Sequence, residues 1–531
     1  MITPKWNVRE GSEWTLREAQ VKALGTLATV GRGFFCIGVG GGKTLTAMMA
    51  AEALGVAPEE TLVLTRARLV DEAYAEAEIY SRHFKFEIPE YWSYAHLSRH
   101  EQDLRKMAPK LIVADEAHFL KNPKSTRGRA FVRYCRDHPE VVFVPMTGTI
   151  TNSSILDYAH LLALALGREN CPLPDPWKHT RRLEALARVI DPNPRTPPDA
   201  ADYRIAATVL NQQDGEDIRS AYFRVLRDTP GVIVSEDPSF DGPIHMTKWT
   251  PPCPPPIMDA LVHLDSTGQL PNGMLASDPL TKSDKENQIA SGFYYYPVYT
   301  EMHTPKWNRA KLILGEYVAA VLRSQVRKKT SRLVTEARVI QAIRTGELDA
   351  PEMVKLALSI TDLVPEPEQE EEWISDEILL AAIERCRETR TETRGSLLWY
   401  NHTALRHRLA ELCKGRYSDV HIAPLGEPPP RGLDAPVVGV VSTRSHTEGF
   451  NLQRDYRYNL VLGPESNAGL WEQLFGRTHR PGQEEEVELE YLATWAGHRN
   501  RVGSARKKAK YIEETTGQPQ RIIMACTNQR T

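Results

Sequence analysis

Uninterrupted apolar runs, each followed by a stretch of helical spacing, occur at both ends of this chain and constrain its fold more than any other feature. In the first 165 residues the runs are Phe34-Phe35-Cys36-Ile37, Thr61–Thr65, Leu111–Ala114 and Val141–Pro145. Thr44–Leu54, Ala67–Tyr80 and Lys124–Cys135 carry helical spacing between them. A strand without a polar face must be covered on both sides, so this alternation predicts a parallel sheet flanked by helices. The pattern returns near the C-terminus, with Leu397–Tyr400, Val437–Val441, Tyr458–Leu462 and Val487–Tyr491 as strands and Thr403–Leu412 and Leu470–Phe475 as helices. The expected fold class is α/β, with one parallel-sheet unit over 1–165 and a second over 396–531.

The residues between them are of another kind. Residues 166–250 are polar and helical, broken by the proline-rich DPNPRTPPDA at 191–200, and are expected to form a helical insertion on the first unit. PPCPPP at 251–256 excludes helix and central strand and reads as a linker. Residues 251–395 are assigned to this linker and a helical insertion of the second unit, with an acidic run, EPEQEEEW, at 366–373 among helix formers. No repeat of fixed period is present.

Composition removes several function classes. With Lys plus Arg at 66 and Asp plus Glu at 69, the net charge is −3, so a polyanion partner cannot be read from the total and would need a locally basic groove. The seven cysteines are scattered without C-x-x-C spacing, which supports neither a disulfide framework nor a zinc ribbon. The N-terminal MITPKWNVREGSEW lacks the apolar core of a signal peptide, and no apolar run approaches the ~18 residues of a membrane span. The expectation is a cytoplasmic protein with reduced thiols and no membrane partner.

Two short motifs carry chemistry. Gly40-Gly41-Gly42-Lys43-Thr44 directly follows the first strand and precedes a helical stretch. Glycines there let backbone N–H groups close on a phosphate, Lys43 can reach the β- and γ-phosphates, and Thr44 can take Mg²⁺. The full phosphate-loop pattern would have glycine at position 37, where this chain has Ile37. Asp115-Glu116-Ala117-His118 ends the third strand. Asp115 is placed to hold hydrated Mg²⁺, and Glu116 to orient and deprotonate an attacking water.

Taken in order, these and further segments resemble the motor of superfamily-two DEAD/DEAH-type helicases, and within it the Swi/Snf-like ATPases of phage or bacterial type. Leu16-Arg17-Glu18-Ala19-Gln20 resembles the Q motif; Gly40–Thr44 and Asp115–His118 resemble motifs I and II, the latter continuing into Lys121-Asn122. Thr147-Gly148-Thr149 resembles motif III, with Ile150-Thr151-Asn152 where the family usually has Pro-x-x-Asn. Glu448-Gly449-Phe450-Asn451-Leu452-Gln453 resembles motif V, and the segment from Gln473 through Gly476, Arg477 and Arg480 to Gln483 resembles motif VI. The resemblance covers both α/β units but not the central residues.

It implies two RecA-like domains with helical insertions between them, and ATP and Mg²⁺ as cofactors in the cleft. Glu116, Lys43, Arg480 and Arg477 would be catalytic, the second motif VI arginine serving as an arginine finger. Gln20, Gly40, Gly41, Gly42, Lys43, Thr44, Gly449, Asn451 and Gln473 would bind nucleotide, with Gln20 on adenine. Thr44 and Asp115 would hold the metal. The implied function is translocation along double-stranded DNA, remodelling it or displacing bound protein, in a bacterial or phage-infected cell. Single-stranded DNA ranks below duplex DNA as partner and RNA below both. The alternatives are a DNA-unwinding or branch-migrating helicase and, from another class, an ATP-driven conformational switch that binds a protein.

Weaker features stay open. Trp6 and Trp14 flank the Q motif and could pack on adenine or simply on the protein; His118 could bridge to Thr147 or Gln473. Arg499-Asn500-Arg501 and Arg506-Lys507-Lys508-Ala509-Lys510 could follow a phosphate backbone or form a solvated helix face. A metal-dependent nuclease would need a further carboxylate cluster, and a kinase would need a catalytic loop; neither is evident.

Overall fold

A computed structural model describes residues 1–38, 40–99, 101–148, 154–191, 197–235, 242–276, 279–325, 336–364, 367–446 and 450–527. The first sheet contains β1 (Phe34–Cys36), β2 (Thr61–Thr65), β3 (Glu90–Ser93), β4 (Leu111–Asp115), β5 (Val142–Thr147) and β6 (Val232–Val234), in the order β3-β2-β4-β5-β1-β6. Every pairing in it is parallel. β1, β2 and β4 are buried nearly end to end, as expected of strands roofed by helices on both faces.

β7 (Ile244–Trp249) leaves that sheet for a second one. β8 (Phe293–Val298) and β9 (Glu368–Trp373) pair with each other in antiparallel fashion. β10 (Gly395–Tyr400), β11 (Val420–Ile422), β12 (Val438–Ser442), β13 (Tyr456–Val461) and β14 (Val487–Leu492) complete the second sheet, ordered β11-β12-β10-β13-β14-β7 and again wholly parallel. The chain is therefore α/β with two six-stranded parallel sheets.

Three expectations about the middle of the chain are corrected. Residues 166–250 are not only a helical insertion: β6 extends the first sheet beside β1, and β7 edges the second beside β14. The prolines at 251–256 do not exclude helix, because Pro255 and Pro256 open the helix Pro255–Thr267, where a missing N–H costs no helical hydrogen bond. The acidic run is largely β9, not helix. Glu370, Glu371 and Glu372 stand opposite Tyr296, Tyr295 and Tyr294 of β8, and the Tyr296 hydroxyl lies 3.1 Å from Glu370 Oε2 while that of Tyr294 bonds Glu372.

Two compact units result, one of Met1–Cys253 with Glu377–Thr531 and one of Pro254–Asp376. Both parallel sheets thus belong to one unit, and the insertion ends at Asp376 instead of 395, because the helix Glu377–Glu388 packs on the second sheet through Arg385, which donates to Glu490 at 2.8 and 2.9 Å. A continuous apolar cluster runs from Phe34, Leu62 and Ile112 of the first sheet to Leu397, Trp399 and Trp471 around the second. The helices Ile218–Arg227 and Ala496–Thr516 join the two halves. Arg219 pairs with Glu514 at 2.7 Å, and the Tyr511 hydroxyl donates to Asp191 at 3.1 Å. The six cysteines with described side chains are all free thiols, and among the described residues no helix is long and apolar enough to cross a membrane.

Candidate functional site

The C-terminal ends of β1, β5 and β4 lie side by side, and this is where an open parallel sheet takes its ligands. Cys36 pairs with Thr147, and Asp115 with Met146, so the loop after β1 and the carboxylates after β4 flank the end of β5. The loop turns through Gly40 and Gly42, at φ +85° and +86°, and delivers Lys43 to the first turn of the helix Lys43–Leu54. A Cβ on Gly41 would lie 2.4 Å from Ile37 Cγ2. Isoleucine is accommodated at position 37 because residue 41 has no side chain. Thr44 follows at the same helix N-terminus, half-buried.

Lys43 is buried, and its ammonium lies 3.2 Å from the Ile37 carbonyl, 3.4 Å from that of Gly38 and 3.3 Å from Glu116 Oε1. Glu116 also approaches His118 Nδ1 at 3.2 Å, which is where the structure puts that histidine. Burial alone would raise the Glu116 carboxyl. Lys43 and His118 overcome it and hold the group well below the usual carboxylate range, so it is ionised at neutral pH. Glu116 sits at φ +58°, a strained value for a non-glycine residue, which aims its carboxylate back at Lys43.

Asp115 behaves in the opposite sense: burial and the Glu116 charge push its carboxyl up, against Lys43. Its Oδ1 is buried without a hydrogen-bond partner. An unpartnered carboxylate oxygen at the end of this strand suits a hard divalent cation that keeps most of its waters. Among the described residues no cluster of three or more His, Cys, Asp or Glu could hold a metal ion by itself.

Gln20 lies at the other end of the loop. Its Oε1 accepts from the Arg17 N–H at 2.8 Å, capping its own helix, and its Nε2 donates to the Gly42 carbonyl at 3.0 Å, bracing the loop. A Cβ on Gly42 would fall 2.4 Å from that Nε2. Arg17 donates to the Gly40 carbonyl. Trp14 stacks on His83 at 4.3 Å, so protein packing accounts for it.

The second half of the unit contributes cations. The helix Ala468–Thr478 is capped by the Asn467 side chain and carries Arg477 in its last turn, with Arg480 just beyond its end. Arg477 is buried, donates to the Phe450 carbonyl at 2.9 Å and to that of Gln473 at 3.2 Å, and feels the Glu116 charge. Arg480 is in electrostatic reach of Glu76 and Tyr80 on the first half and of Arg17 and Arg521. Burial, and after it the neighbouring guanidiniums, lower both arginines from their ordinary range. A crowd of buried like charges of this kind is costly unless an anion joins it. Gln473 is half-buried and Asn451 exposed. Gly449, with Glu448, lies outside the described residues, as do Thr149, Ile150, Thr151 and Asn152 of the expected motif III.

Three groups here were not singled out from sequence. Arg68, after β2, donates to the Ser445 carbonyl in the second half. Arg521 is buried against Glu472 of the helix Ala468–Thr478, and its Nε lies 3.2 Å from His479 Nδ1. Gln518 reaches the loop itself at Gly38. The basic run near the C-terminus is mostly engaged: Arg499 donates to the Ala493 carbonyl at 3.1 Å, Arg501 faces Glu465 at 3.8 Å, Lys508 donates to the Ser466 carbonyl at 2.9 Å and Lys510 faces Glu514 at 3.7 Å.

No protein-family model matches the chain, and no curated protein is significantly similar to it.

Proposed function

We propose that the chain is an ATP hydrolase of the nucleic-acid motor type, similar to the Swi/Snf-like ATPases of superfamily two, that uses turnover to move along double-stranded DNA and remodel it or displace bound protein. One observation carries the reading: a glycine-rich loop lysine, Lys43, is ion-paired at 3.3 Å to the strand-end Glu116, and Arg477, buried in the other sheet's half, is within electrostatic reach of that same carboxylate. On this reading the two sheets are the cores of two RecA-like domains, with the nucleotide between them.

Each residue then has a task. Lys43 trades its loop carbonyls and Glu116 for the β- and γ-phosphates. Glu116, ionised and released, accepts a proton from the water attacking the γ-phosphorus. Arg477 and Arg480 stabilise the charge that spreads over the phosphoryl oxygens, a contribution of ~10³–10⁵ in rate for an arginine finger. Gln20 and the glycines hold the loop's shape. Asp115 and Thr44 would hold Mg²⁺, which when bound neutralises phosphate charge. ATP turnover measured alone and with duplex DNA, single-stranded DNA or RNA tests the proposal. Stimulation by duplex DNA is expected; turnover indifferent to every nucleic acid would favour a protein-binding switch.

A further inference from the structure

We propose that Gln518 is a further nucleotide-contacting residue, its side-chain amide reading the terminal phosphate at the Gly38–Thr44 loop. The inference rests on the reading of that loop as an ATP site.

The helix Ala496–Thr516 stops at Gly517, whose φ of +69° and the 2.4 Å approach of the Phe223 ring to any Cβ there both require glycine. The chain reverses at that point, and Pro519 disfavours helical backbone at the residue before it. Gln518 is thereby turned into the protein, only 3% exposed, with its Nε2 3.5 Å from where a Cβ on Gly38 would stand. Neither Nε2 nor Oε1 has a hydrogen-bond partner. A buried amide with both ends unmade is unfavourable, and a native protein keeps one where an ordered water, an ion or a ligand completes it; beside a glycine-rich loop the ligand is the candidate.

Its position selects which part of the nucleotide it meets. Gly38 is the residue whose carbonyl lies 3.4 Å from Lys43 Nζ, and Lys43 in turn reaches Glu116. On the ATP-site reading, this is the end of the loop that meets the hydrolysed phosphate. Gln20 braces the opposite end, at Gly42. The mounting of Gln518 also matters, because Arg521, three residues on, bonds Glu472 through both its backbone N–H, at 2.8 Å, and its guanidinium. Gln518 is thus fixed to the helix that carries Arg477, while the loop it touches belongs to the other sheet. An Nε2–H donated to a γ-phosphate oxygen would join the two halves only when the triphosphate is present.

The test is Mg²⁺-dependent binding of a non-hydrolysable ATP analogue and of ADP to the full chain, for the wild type, Gln518→Leu, Gln518→Glu and Lys43→Ala. Gln518→Leu keeps the volume and removes the hydrogen bond, and should weaken the triphosphate by roughly 10-fold, the low end for a bond to a charged group. Gln518→Glu sets a like charge against the phosphate and should weaken it further. ADP affinity should change less than about 2-fold in both, a split that mere structural damage would not give. Equal losses for the two nucleotides, or none, overturn the proposal, and so does unfolding of both variants, which would make the amide part of the core. If Lys43→Ala loses binding while the Gln518 variants keep the wild-type ratio, only this inference fails. If Lys43→Ala binds as wild type does, or the wild type binds neither nucleotide, the ATP-site reading fails and takes the inference with it.

Discussion

Lys43 and Glu116 neutralise one another at 3.3 Å, and the proposed chemistry requires that they part. Removing either therefore has an asymmetric effect. Lys43→Ala deletes the loop's only side-chain cation, so nucleotide binding should fall and turnover should drop to background. Glu116→Gln leaves Lys43 freer to meet phosphate and should hold ATP at least as well as wild type. Its turnover should fall by ~10²–10⁴, the usual worth of a general base. Nucleotide binding and steady-state ATPase on the two variants check both claims. Unchanged turnover in either would remove the hydrolase assignment. Asp115 feels the charges of this pair, but its Oδ1 is bonded to neither member.

Elements, more than residues, decide whether the second half can reach the site. Arg480 lies past the end of the helix Ala468–Thr478, within electrostatic reach of Glu76 and Tyr80 but without an ion pair of its own among the described residues. If it serves the transition state, Arg480→Ala should lower kcat by at least ~10³ with KM nearly unchanged. A tenfold rise in KM at constant kcat would make it a ground-state ligand instead. The docking of the helix Ala496–Thr516 gives a pH-dependent prediction. Asp191 accepts from the Ile155 N–H at 3.0 Å and the Tyr511 hydroxyl at 3.1 Å, and burial, partly offset by those bonds, pushes its carboxyl up to about 6. A raised carboxylate contributes stability that is full below its ordinary range near pH 4 and lost as pH rises through about 6. Thermal melts of the wild type should therefore decline across that window, and Asp191→Asn, which keeps an acceptor and cannot ionise, should lack that component; identical pH profiles would contradict it. The strands that carry this site were legible because Thr61–Thr65 and Leu111–Asp115 are apolar on both faces. The edges were not. Glu90–Ser93 exposes one end, Val232–Val234 is three residues long, and each is a strand only because a neighbour pairs with it. In the same way the loop and strand-end motifs announced Lys43 and Glu116, whereas Gln518 and Arg68 carry no local signal and acquire meaning from what the fold places against them.

At the scale of the whole molecule, the open question is how a chain with net charge −3 would hold a polyanion. Binding to duplex DNA by phosphate contacts releases counterions, so log K should fall with log salt at about −0.9 per contact. A motor that tracks a backbone needs several such contacts, and its slope should be correspondingly steep. The obvious source, the basic run of the helix Ala496–Thr516, is already committed to holding that helix on the protein: Arg499, Arg501 and Lys508 are tied to Ala493, Glu465 and Ser466. Lys507 and Lys510 are exposed, and Lys510 shares its charge with Glu514. This helix therefore acts as a structural bridge between the two halves, and Arg506, half-buried, with the exposed Lys507 and Lys510 are the cations it has left to offer a phosphate. Lys507→Ala and Lys510→Ala should each reduce the salt slope by no more than about one contact, leaving most of it intact. The measurement is duplex affinity across a salt series for the wild type and the two variants. A steep wild-type slope that survives both substitutions places the DNA path elsewhere on the chain. Collapse of the slope in the lysine variants would mean the helix is the DNA-binding face after all, and a flat wild-type plot would remove backbone tracking altogether.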